Sequence, residues 1–165
     1  MKKSMYVIEC VQLVNYFNQL SKDEMDALPL KVKWSVKRAM DKMVPDVKAF
    51  EEFRDAESAK IREKYFDDSH TKKVMLPKMD ADGKPELDAD GNEVLEEGLQ
   101  IKDEYLEAHE ADIKDLNKKL EDILRERNTY EYNRIDIDDY IDSIDEKAVS
   151  FTTLSLIDEI FKEEV

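Results

Sequence analysis

Leu99, Leu106, Ile113 and Leu120 stand seven residues apart, and Leu116 and Ile123 fill the complementary position of the same heptads. Apolar residues at that interval share one stripe of an α-helix, whereas in a strand an odd spacing sends them to opposite faces in turn. Residues 99–127 are therefore predicted to form a long helix that packs lengthwise on another. Lys102 and His109 hold the complementary position in the earlier heptads, so the seam is expected to be weak at its N-terminal end and strong near Leu120. Antiparallel packing against the preceding helix is the simplest arrangement. Homodimerisation through the same seam is the rival.

Helix breakers are scarce elsewhere too, with three glycines and four prolines in 165 residues. That favours a mainly α fold, and the length suits a single domain. Residues 8–68 are expected to hold the N-terminal helices. The first carries Ile8, Val11, Leu13, Val14, Phe17 and Leu20 at helical spacing and ends near Ser21, and a short connector then reaches Pro29. A second runs from Leu30 through Trp34 and Met40 to Val44, where Pro45 either kinks it or opens a third helix over residues 46–65. Residues 71–96 change character. Met79-Asp80-Ala81-Asp82-Gly83 recurs eight residues later as Leu87-Asp88-Ala89-Asp90-Gly91. Asp-Gly is a strong turn signal, and Val74, Met75 and Leu76 can pair with Val94 and Leu95, so an acidic β-hairpin or loop arm is expected. The long helix is placed at 97–128. In 129–165 a β-branched and aromatic run over 129–137 suggests a short strand, followed by short helices over 138–144 and 152–161. The fold expected is a small helical bundle with one heptad-bearing helix, an arm and a short strand near the C-terminus.

Charged residues make up 41% of the chain and the formal net charge is −15. Such a chain repels nucleic acid and anionic membrane, so direct binding to either is not expected. A protein partner with a basic surface is favoured instead. Charge is also unevenly spread: residues 30–48 carry six Lys/Arg against two acids, while 80–112 carry thirteen acids against two lysines and 129–165 carry eleven against three. Mutual neutralisation across the bundle is the ordinary use of such a pattern. The functional alternative is a negative surface that imitates a phosphate backbone. Asp103, Glu107 and Glu110 are the candidate partner-binding residues, because spacings of four and three put them along one helical face.

Chemistry-bearing motifs are thin. Cys10, the one cysteine, lies in an apolar stretch and is read as a small buried hydrophobe in a reducing setting. Glu9, Gln12 and Asn15 interrupt the apolar run that a signal peptide or membrane span needs. His70 reads as a solvated loop residue and His109 as a rim position on the seam; neither has the context of a nucleophilic triad. No glycine-rich phosphate cradle follows a strand, and no cofactor or enzymatic activity is expected. Glu86, Asp88, Asp90 and Glu97 occupy the first, third, fifth and twelfth positions of a calcium-loop pattern with Gly91 at the sixth. Yet the first ligand is Glu instead of Asp, and Glu93 stands where an apolar residue is wanted. An Asp-Gly turn in an acidic arm is the expectation, with no metal.

The run Leu28-Pro29-Leu30-Lys31, the helix through Trp34 and Met40 to Phe50-Glu51-Glu52-Phe53-Arg54, Lys64-Tyr65, the Asp-Gly turns and Glu104-Tyr105-Leu106 together resemble short uncharacterised proteins encoded by phages of Gram-positive bacteria. The resemblance spans most of the chain in pattern and order. It implies a phage or prophage setting in the cytoplasm of an infected bacterium, and it implies no functional residues. Two functions are then expected to compete. One is an anti-defence inhibitor of anti-CRISPR type that binds a basic or nucleic-acid-binding host protein. The other is an assembly, scaffolding or chaperone partner that binds through an apolar helix face.

Overall fold

The computed structural model describes residues 1–145 and 147–162. In chain order the elements are β1 (Lys2–Tyr6), α1 (Val7–Gln19), α2 (Lys22–Ala27), α3 (Leu30–Tyr65), β2 (Thr71–Pro77), β3 (Leu95–Ile101), α4 (Asp103–Leu124), β4 (Arg127–Glu131), a 3-10 turn over Asp138–Ser143 and α5 (Phe151–Phe161). The fold is mainly α. The chain was read as a single domain, and it gathers into two compact units: Met1–Arg54 with the chain from Lys119 onward, and Asp55–Lys118.

The first unit holds the apolar core. Cys10, Leu13, Val14 and Phe17 of α1, Val32, Val36, Met40, Met43 and Val47 of α3, and Ile157, Ile160 and Phe161 of α5 are all buried together. Each set repeats at three- and four-residue intervals, so each helix contributes one apolar stripe. β1 pairs antiparallel with β4, Ser4 opposite Thr129. β4 brings Tyr130 against the core, where its hydroxyl donates to Asp46 at 2.7 Å and accepts a 3.4 Å contact from the Cys10 thiol. Burial raises the pKa of both the Tyr130 phenol and the Cys10 thiol.

Three expectations about this unit are corrected. The helices proposed on either side of Pro45 form one 36-residue helix. Pro45 and Asp41, the residue one turn earlier whose carbonyl the proline nitrogen cannot serve, are both exposed, while buried Met43 and Val47 hold the helix on either side. The connector before Pro29 contains α2, whose N-terminus is capped by the Ser21 hydroxyl, which accepts from the Glu24 amide at 3.1 Å. The strand expected over 129–137 lies at Arg127–Glu131 and pairs with an N-terminal strand whose Lys2-Lys3-Ser4 sequence carries no strand signal. Of the segment read as 129–165, the last three residues and Glu146 lie outside the described residues.

In the second unit the arm is an antiparallel hairpin, Thr71 opposite Ile101 and Pro77 opposite Leu95. It extends five residues further than the 71–96 expected, and α4 begins at Asp103 instead of 97. Leu99, the first member of the heptad series, is on β3 and half exposed at 51%. Sequence spacing cannot see this, because strand pairing is nonlocal and the ladder to β2 outweighs one more helical turn.

Candidate functional site

Asp103, Glu107 and Glu110 are exposed on one side of α4. The other side carries Tyr105, His109, Asp112 and Leu116, again at intervals of four and three, and this is the side held by the rest of the unit. The His109 ring packs edge-on against Tyr65 at 5.1 Å and Phe66 at 6.1 Å. Asp112 accepts hydrogen bonds from Lys64 Nζ at 2.7 Å and the Tyr65 hydroxyl at 2.9 Å, and these donors hold its carboxyl below the usual range. His70 meets Tyr105 with ring centroids 4.5 Å apart. These contacts run in opposite order along the two segments, so the last turns of α3 and the first turns of α4 are antiparallel.

The buried stretch was expected at Ile113, Leu116, Leu120 and Ile123. Only Leu116 is buried; Leu120 and Ile123 are half-buried and Ile113 is 36% exposed. The packed face centres on Leu116 and continues toward the N-terminus of α4 through half-buried Asp112, His109 and Tyr105. His109, expected at the rim of the seam, is on the packed side, and nothing in the sequence marks Asp112, because its partners Tyr65 and Lys64 are distant in the chain.

Asp103 has an ion pair with Lys72 at 2.9 Å, though its own side chain stays 81% exposed. Glu107 and Glu110 have no ion pair among the described residues. Neighbouring lysines are engaged elsewhere: Lys64 with Asp112, Lys73 with Glu97 and Lys78 with Glu86. Of this face, Glu107 and Glu110 are thus the carboxylates without an ion pair among the described residues, and exposed Lys114 follows one turn beyond Glu110.

The calcium-pattern residues are not gathered. Glu86 pairs with Lys78 at 2.7 Å, and Glu97 lies in β3 paired with Lys73 at 2.6 Å. The Asp88 carboxylate accepts from the backbone amides of Asp90 and Asn92, both at 2.9 Å, and the Asn92 contact foremost lowers its pKa. Asp80 makes the matching pair of bonds to the amides of Asp82 and Lys84. The repeat is therefore a pair of aspartate-capped turns, each closed by a glycine at positive φ, 74° at Gly83 and 84° at Gly91. Asp90 is exposed in the second of them. Among the described residues no group of three or more His, Cys, Asp or Glu is placed to hold a metal ion.

His70 departs from the solvated position expected of it. Its ring is half-buried, and Asp67 Oδ1 contacts Nδ1 at 2.7 Å while accepting from the Ser69 hydroxyl at 2.6 Å and the Ser69 and His70 amides at 2.8 and 2.9 Å. Ser69 Oγ also lies 2.9 Å from the same Nδ1. An acyl-transfer triad divides serine and carboxylate between the two ring nitrogens. Here both meet one nitrogen and the serine donates to the carboxylate, so the trio is a turn network. The hydrogen bonds from Ser69 and His70 hold Asp67 far below the usual carboxylate range.

No helix among the described residues is long and apolar enough to cross a membrane. Comparison with known proteins gives no match to a family model, a curated protein or a solved structure.

Proposed function

We propose that this chain is a non-enzymatic interaction protein that presents the carboxylate face of α4 to a basic, nucleic-acid-binding surface of another protein. The supporting observation is that Glu107 and Glu110 are exposed on one face without an ion pair among the described residues, while Lys64, Lys73 and Lys78 are engaged elsewhere. A helix rises about 1.5 Å per residue, so Asp103, Glu107 and Glu110 are spaced about 5 Å apart along the axis. One DNA strand carries a phosphate about every 3.4 Å. The resemblance to phage proteins supports an anti-defence inhibitor acting inside an infected bacterium.

The test is charge reversal. Replacing Asp103, Glu107 and Glu110 together by Lys leaves the helical content near that of the parent, since exposed ion pairs contribute little stability. Capture of the partner from host lysate falls sharply, and the parent's capture weakens as salt is raised. Equal capture by parent and triple variant rejects this face. A second reading, an assembly partner using the apolar flank of the same helix, is favoured by the exposure of Ile113 and the half-burial of Leu106. It predicts capture that salt does not weaken.

A further inference from the structure

The first unit carries two unpartnered features of opposite chemistry. One is an open groove of about 780 Å3 between the 3-10 turn and α5. Ile137 and Leu154 line its floor, and Ile141 and Phe151 line it while remaining 41% and 85% exposed. Its polar lining includes Asp138 and Asp158, which have no ion pair among the described residues. The surrounding stretch 136–145 holds five aspartates and no lysine or arginine. The other feature is the solvent side of the first turns of α3. Leu30 and Trp34 are 69% and 54% exposed, one turn apart, and Arg38 continues the same stripe beside Lys37, which pairs with Asp41 at 3.2 Å. The stripe lies next to the groove's own wall, since Lys31 Nζ sits 5.6 Å from the centre of the Tyr140 ring.

We propose that a second copy of this chain fills the groove: Trp34 and Leu30 of each protomer seat against Ile141 and Phe151 of the other, with Arg38 facing Asp138 and Asp158. Several observations select this occupant. An apolar groove with an acidic rim calls for an apolar ridge with basic flanks, and this chain exposes one. An isologous pair needs two complementary patches on each protomer that can swap across a two-fold axis, and the contact between Lys31 and Tyr140 puts the patches side by side. A small ligand normally has most of its surface covered. A groove with Phe151 left so exposed covers less than that and suits a helix laid along it. The contact is distinct from the α4 face and does not depend on it.

Trp34 is the chain's single tryptophan and reports on the contact directly. Sedimentation velocity and tryptophan emission are followed from low micromolar to sub-millimolar protein. The parent passes from monomer to dimer, and its emission shifts to the blue over the same concentration range. Trp34→Glu and Phe151→Glu, both at exposed positions, keep the parent's circular dichroism and each weakens self-association by roughly tenfold or more. Mixing the two variants gives a pair with one intact contact and one doubly altered contact across the two-fold axis, which associates more weakly than the parent. A parent that stays monomeric with concentration-independent emission overturns the proposal. So does a dimer that both variants retain.

Discussion

Glu24 shows how single side chains tie the first unit together. One of its carboxylate oxygens accepts from the Thr153 hydroxyl at 2.5 Å and the Ser150 amide at 2.8 Å. Tyr16 reaches the same threonine at 2.7 Å, and the Ser150 hydroxyl caps α5 by accepting from the Thr153 amide at 3.2 Å. One carboxylate thus joins α2 to the start of α5, and Thr153 is fully buried with its hydroxyl satisfied. The Thr153 hydrogen bond, followed by those of Ser150, lowers the Glu24 pKa from its ordinary 4.5. A lowered folded-state pKa contributes stability above the unfolded value that is lost as pH falls through the folded one. Glu24→Gln is therefore expected to lose about 1 kcal/mol at pH 7, the usual worth of such a hydrogen bond. The gap should narrow as the pH drops below the ordinary carboxylate range. Urea midpoints at neutral and acid pH check this, and a gap that stays constant would show that the carboxylate's charge does not matter there. In the sequence Glu24 is one of forty-one acids, and no local pattern marks it, because its partners are more than a hundred residues away.

At the level of elements, helices were legible and their packed faces only partly so. Of the residues their periodicity selects, α1 buries Leu13, Val14 and Phe17 but leaves Ile8 41% exposed, and α5 buries Ile157, Ile160 and Phe161. α4 buries only Leu116 of its leucine stripe, and Tyr65 and Lys64 give His109 and Asp112 a place on the packed side beside it. Leu116→Ala is expected to cost about 2 to 4 kcal/mol, and Leu120→Ala about 1 kcal/mol or less, since the first side chain is buried and the second only half so. Equal losses in urea unfolding would restore the leucine stripe as the seam. The hairpin was legible from its Asp-Gly turns and apolar flanks. Its full length was not, since Leu99 also stands seven residues before Leu106 and so fits the helical repeat.

Across the whole molecule, charge of one sign dominates. With a net charge of −15, the folded chain repels itself more strongly than an expanded one does, and salt screens that repulsion. Raising sodium chloride from low to near-physiological concentration is expected to raise Tm, as differential scanning calorimetry can show. A fall in Tm would mean that the ion pairs such as Lys72–Asp103 outweigh the repulsion. The sequence by itself determined the helical character, the turn-bearing arm and the acidic balance, because these follow from local propensity, short-range spacing and composition. Only the tertiary structure decided that Lys2–Tyr6 is a strand, that α3 runs unbroken past Pro45, and that the carboxylates of α4 face away from an aromatic and histidine cluster. It also set the acidic groove beside an apolar and basic ridge. Each of these depends on pairs of residues far apart in the chain, whose mutual burial or hydrogen bonding outweighs the local preference at either end.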